Sequence, residues 1–240
     1  MTAFAHHFGF DFRTGIRNRS LLLLNYLFPL AFYLMMGFVM PGINPLFREA
    51  LLPAMIIFAI YSAAILGLPD PLVQARDSGI FRSYKINGVP RLNILTIPAL
   101  TTSLHLVIVA LIIAITAPLL FDAPAPVSWA NFLVVFLTTL VAVAGLGVLI
   151  GVVSPNSRAT ILLSQLLFLP SMLIGGLMLP YGMLPQAAQM VARLLPSTHA
   201  MNAFKGLALG QAADFSPWGA VIVLLSGGVL AFALAYLLFR

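Results

Sequence analysis

His105 is a histidine set deep in an apolar run, "LNILTIPALTTSLHLVIVALIIAI" (92–115), and Ser103 stands two residues before it. A serine facing an imidazole inside a bilayer is the makings of an intramembrane hydrolase. Residues two apart on a helix point to different faces, however, so these two are not a natural nucleophile and base. The other histidines, His6, His7 and His199, are scattered, no His-Glu-x-x-His occurs, and the chain has no cysteine. That pattern offers no zinc or thiolate chemistry. There is no Gly-x-Ser-x-Gly elbow and no Gly-x-x-x-x-Gly-Lys-Ser/Thr phosphate loop, so the chain does not hydrolyse ATP by that route. Asp70, Asp77, Asp122 and Asp214 fall in loops or at helix ends. A proton- or sodium-coupled carrier usually needs carboxylates within its spans, so the driving energy is expected to come from elsewhere. His105, Asn25 and Gln165 are read first as polar groups bonded to a neighbouring helix, with a substrate or proton site as the alternative. No catalytic residue, metal site or cofactor is expected in this chain.

The elements that position these groups follow from composition. Of 240 residues 61% are hydrophobic and 8% charged, with a mean hydropathy of +1.06. Soluble domains carry about a quarter charged residues, so this is a membrane protein. A span needs about 20 apolar residues, and six fit. They lie at Ser20–Met40, from Glu49 to about Leu68, within Leu92–Phe121, within Trp129–Val153, at Ala159–Leu179 and at Pro217–Phe239, with Ser216 and Pro217 as cap and first residue of the last. The first strongly apolar run begins near Leu21 and is long enough to span, so no cleavable signal is expected. Before it, Phe4, Phe8, Phe12 and Ile16 form one stripe opposite His6, His7, Arg13, Thr14, Arg17 and Asn18. Residues 2–18 therefore read as an amphipathic helix in the membrane interface, the alternative being a frayed basic terminus. The net charge of +6 belongs to loops and anionic headgroups rather than to nucleic acid. With the N-terminus inside, Arg13, Arg17, Arg19, Arg76, Arg82, Lys85, Arg91, Arg158 and Arg240 are cytoplasmic, against Arg48, Arg193 and Lys205 outside. This bias places both termini in the cytoplasm of a multi-pass plasma (inner) membrane protein. Gly147 and Gly151 have the spacing of close helix packing, within or between subunits, or reflect ordinary glycine enrichment.

Two polar stretches remain. "PDPLVQARDSGIFRSYKINGVPR" (69–91) combines Arg76, Asp77, Gly79, Phe81, Arg82, Lys85 and Gly88. It is either a helix across the cytoplasmic face presenting side chains to a soluble partner, or a solvated positive-inside loop. "LPYGMLPQAAQMVARLLPSTHAMNAFKGLALG" (179–210) carries Pro180, Pro185, Pro196 and His199. Its prolines break the helix, and non-helical backbone at membrane depth must be buried in protein or face water.

Over essentially its full length the chain resembles the membrane subunit of ABC-2 type exporters. The Leu-Pro pairs at 179–180 and 184–185 and the Leu-Pro-Ser-Thr-His at 195–199 look like the family's outer signature, and 76–91 like its coupling segment, with Asp77-Ser78 where many members have paired acidic residues. The resemblance implies a single all-α transmembrane domain over 1–240. It has six spans, an N-terminal amphipathic interfacial helix, a coupling segment at 69–91 and a re-entrant outer helical hairpin at 180–210 between spans five and six. It implies two ABC ATPase subunits, which bind the ATP and Mg, and a second copy of this chain or a close paralogue, all amid membrane lipids. The cargo would be a hydrophobic or amphiphilic drug, antibiotic or lipid moved outward along a path lined by Phe28, Met35, Gln165, Phe168 and Met172. Polysaccharide or lipid-linked glycan export is the alternative cargo class, and a channel or carrier without an ATPase the alternative machine.

Overall fold

The computed structural model describes residues 8–9, 12–13, 17–45 and 47–239. Among these the regular structure is entirely helical, and six helices are long and apolar enough to cross a membrane. In chain order these are α1 (Leu23–Ile43), α2 (Phe47–Asp77), α4 (Arg91–Phe121), α5 (Trp129–Val153), α6 (Ser157–Ile174) and α9 (Pro217–Leu238). Between them lie three short helices, α3 (Ile80–Ile86), α7 (Gln186–Ala192) and α8 (Pro196–Ala203).

The sequence places six spans correctly but misjudges two of their ends. α2 does not stop near Leu68. A π-helical turn at Ser62–Gly67 leads into Pro69–Asp77, so the helix runs on beyond the apolar run. Pro69 and Pro71 sit in the first turn after the π-turn, where a missing N–H costs no intrahelical bond. α6 stops at Ile174 rather than Leu179, because Gly175 and Gly176 turn the chain away. Ser216 caps α9 as its sequence predicts, its hydroxyl accepting the Gly219 N–H at 3.2 Å.

Burial assigns the layers. The most apolar window of α2 is 94% buried, against 28% for α1, α6 and α9, so α2 is the axis around which the others pack. Its Leu51–Ile65 stretch, almost wholly enclosed, forms the middle of the core. α9 runs along α5, joined by a glycine-to-glycine approach: a Cβ on Gly145 would stand 2.7 Å from the Gly228 carbonyl oxygen. Gly147 and Gly151 seat α5 on α2 within the chain. Gly147 lies directly on the Ala64 carbonyl in the π-turn, and a Cβ on Gly151 would stand 2.9 Å from Leu72.

Two tyrosines of α1 hydrogen-bond across to α4. The Tyr26 hydroxyl of α1 and His105 Nδ1 of α4 share a 2.6 Å hydrogen bond, and the Phe12 ring stacks on the imidazole at 4.4 Å. His105 is therefore an interhelical histidine. Tyr33 donates in the same way to Thr116 Oγ1 at 2.9 Å, while Thr116 gives its own proton to the Ile112 carbonyl. Asn25 is buried beside Gly67, where the π-turns of α1 and α2 meet. Gln165, on α6, is half-buried.

Candidate functional site

The segment after α2 turns sharply because Gly79 and Gly88 adopt φ of +78° and +71°, values that disfavour a side chain. They bracket α3 and set it across the end of the bundle. Its residues divide into two sets. Phe81 is half-buried, edge-on to Phe239 at the end of α9 (5.2 Å), and Lys85 Nζ stands 5.4 Å over the same ring. Arg82 and Ile86 are exposed, Ile86 at 77%, and Ile80 is exposed beside them. Among the described residues no carboxylate pairs with Arg82, and the two isoleucines lie open beside it.

Arg76 faces the other way. Its guanidinium donates to the Ser154 carbonyl (2.8 Å) and the Pro155 carbonyl (3.1 Å), and its Nε meets Asp77 Oδ1 at 3.2 Å. A cation on the last carbonyls of α5 also complements that helix's negative end. Arg76 thus pins the end of α2 to the α5–α6 connection, and the exposed carboxylate of Asp77 holds it in place.

In the stretch before α1, Phe8 and Phe12 are half-buried, while Arg13 and Arg17 are exposed. Phe4 lies outside the described residues.

At the membrane level Phe28, Phe32, Phe58 and Phe168 form a connected aromatic wall, with ring centroids 5.3 Å (Phe28–Phe58), 4.1 Å (Phe32–Phe58) and 5.9 Å (Phe58–Phe168) apart. It joins α1, α2 and α6. Phe168 and Met172 are buried within it, whereas Phe28 and Met35, seven residues apart on one face of α1, are open. Gln165 lies three residues before Phe168, one turn along α6.

The proline-marked stretch builds a compact knot at the opposite end from α3. Pro180 precedes a 3₁₀ turn at Tyr181–Met183, Pro185 caps α7 and Pro196 opens α8. At the α7–α8 corner the exposed Arg193 and Leu194, with Pro196, border a cavity shared with Ala142 and Leu146 of α5, Leu167 of α6 and Gly228 of α9. α8 is buried among α9, α5, α2 and α6. Tyr61 of α2 meets Ser171 of α6 and Ser197 of α8 there. Arg193 Nε donates to the Tyr181 hydroxyl at 2.8 Å, with the guanidinium over the Tyr181 and Phe215 rings. His199 Nε2 donates to the Arg193 carbonyl (2.8 Å), its ring edge-on to Phe215.

Sequence reasoning passes over the residue that ties this knot. Asn202 Oδ1 accepts the Asp214 and Phe215 N–H groups (2.8 and 3.2 Å), and its Nδ2 donates to the Phe215 carbonyl (2.8 Å). A primary amide among small residues in "THAMNAF", ahead of a loop that must satisfy its own backbone, is the available signal.

Among the described residues no group of histidine, cysteine or acidic side chains has the makings of a metal site. The sequence model of the ABC-2 type transporter family matches residues 7–209. No curated protein matches the chain.

Proposed function

The chain belongs to the ABC-2 type transporter family, and on that premise we propose that it is the permease half of an exporter that moves a hydrophobic or amphiphilic cargo outward. Membership makes it the non-catalytic membrane component and selects the ATP-coupled reading over a self-contained channel or carrier. Two ATPase subunits bind ATP and Mg and dock beneath two copies of this chain. The observation that carries the reading is the open face of α3, Arg82 with Ile80 and Ile86, held rigidly by Phe81 against Phe239. Phe81 and Lys85 anchor α3, Arg76 and Asp77 brace the helix that bears it, and Gly79 and Gly88 set its angle. The stretch bearing Phe8, Phe12, Arg13 and Arg17 lies in the interface of the same cytoplasmic leaflet. Cargo passes between the two copies along the aromatic wall, with Phe28, Met35 and Gln165 open to it and Phe168 and Met172 behind. An adaptable wall of phenylalanine and methionine suits an apolar cargo. The α7–α8 hairpin, bent at Pro180, Pro185 and Pro196 and fastened by His199, re-enters the membrane and caps the exit.

The test is co-expression with a candidate ATP-binding-cassette ATPase. Wild type is expected to co-purify with it and stimulate its ATPase activity. Arg82→Glu with Ile86→Ala removes the open face and is expected to cost about 2–3 kcal/mol of docking, roughly 30–150-fold in Kd. Co-purification and stimulation unchanged by the double variant would refute the docking face.

A further inference from the structure

α4 packs chiefly on α2 and α9 on α5, and α4 and α9 meet each other only sparingly. The wedge between α4, α5 and α9 is a groove of about 760 Å³, lined by Leu92, Ala99, Ser103, Leu140, Phe232 and Tyr236 among others. It is separate from the aromatic wall of α1, α2 and α6. We propose that this groove seats one acyl chain of an anionic phospholipid, with the phosphate held at its α3 end by Arg91 and Lys85.

The lining accepts hydrocarbon and little else. Two of its residues other than Tyr236 carry hydroxyls, Thr96 and Ser103. Thr96 donates to the Leu92 carbonyl at 2.8 Å and Ser103 to the Ala99 carbonyl at 2.7 Å. Both are occupied by their own helix, so away from the Tyr236 end a polar ligand would lose its hydration and find no donor in return. The length fits one leaflet: from Leu92 to Ser103 is about 16 Å at ~1.5 Å per residue, against about 15 Å for half a hydrocarbon core. The lining is otherwise alkyl and aromatic across all three helices, which suits a single acyl chain laid along it.

The charge lies at one end. Arg91 directly precedes Leu92, and Lys85 stands over Phe239, one turn beyond Tyr236. Among the described residues the ion pair Arg76–Asp77 is the only one, so no described carboxylate pairs with Arg91 or Lys85. Tyr236, 44% exposed, brings an aromatic ring with a polar tip to the same end, as at membrane interfaces generally.

The full chain is purified in detergent and exposed to mixed micelles of phosphatidylglycerol or phosphatidylcholine with identical acyl chains. Retained lipid is counted by native mass spectrometry. Wild type is expected to retain about one phosphatidylglycerol per protomer, with at least a severalfold preference over phosphatidylcholine. Arg91→Gln with Lys85→Gln is expected to abolish the preference, and Ala99→Phe to abolish retention of both lipids. A phosphatidylglycerol carrying a photoreactive acyl chain tests the site in wild type alone, with crosslinks expected on Leu137, Leu140 or Phe232. Equal retention of the two lipids by wild type, or crosslinks confined to α1 and α6, overturns the proposal. So does a disulfide dimer formed through Ala99→Cys, which would make the groove an interface between copies. These readouts need no ATPase and no cargo, so they succeed or fail apart from the exporter reading.

Discussion

Replacing Asn202 tests how the outer knot is held. Asn202→Leu keeps the branched shape of the side chain and deletes three hydrogen bonds at once, two accepted from Asp214 and Phe215 and one donated to the Phe215 carbonyl. A net contribution of about 1 kcal/mol per bond gives about 3 kcal/mol for the three. Asp214 is exposed and Phe215 half-buried, so water recovers part of this and about 2–3 kcal/mol is expected. At ~2–4 °C per kcal/mol for a chain of this size, Tm falls by roughly 4–12 °C. Unfolding in detergent is followed by tryptophan fluorescence, Trp218 lying just beyond the loop, together with limited proteolysis across 209–216. Asn202→Asp supplies an internal check. It keeps both acceptors and regains a donor once protonated, so its deficit relative to wild type should narrow as pH falls through the carboxyl's titration. The leucine variant's deficit should not narrow. A leucine variant melting within about 1 °C of wild type with unaltered proteolysis would refute the assignment.

Gly147→Leu drives a side chain into the Ala64 carbonyl and is expected to cost about 3 kcal/mol or more, read as loss of monodisperse protein; Gly227→Ala, which meets nothing within 4 Å, is the neutral control. Single cysteines at Met183 and Asn87, both exposed and at opposite ends of the bundle, report orientation. A membrane-impermeant maleimide should label the first in intact cells and the second only after permeabilisation, and the reverse pattern would invert the topology.

What the sequence reveals and conceals divides along physical lines. Long apolar runs announce spans because hydrocarbon imposes a minimum length, so α4, α5 and α9 agree with their sequence limits to within a residue. The run of α2 past Leu68 is hidden because Pro69, Asp70 and Pro71 have the composition of a loop, while the π-turn that lets them continue the helix has no composition of its own. The helix start set by a local device is readable at Ser216-Pro217, whereas the stop at Gly175-Gly176 is hidden because the apolar run continues through it to Leu179. Which way a cation points is not. Arg76 and Arg82 are alike in the sequence, and only the placement of Ser154 and Pro155 turns the first inward. Asn202 is hidden for the same reason, since its partners lie on a loop that has no pattern until it is folded.

The length of α2 has a mechanical consequence. Its 31 residues make a rod of about 46 Å at ~1.5 Å per residue, sheathed by the rest of the bundle. At one end the rod leads through Ser78 and Gly79 into α3. At the other, Phe47 and Ala50 abut Gly176–Met178 and Pro180, and Gln211 Nε2 donates to the Glu49 carbonyl at 3.3 Å. On the exporter reading proposed above, a displacement of α3 would reach the hairpin through this one helix. Within the rod, the turn most able to yield is the π-turn at Ser62–Gly67, clamped by Gly147. On that reading the helix would act as a pushrod, and the close seat of Gly147 on the Ala64 carbonyl would limit how far its one irregular turn can give.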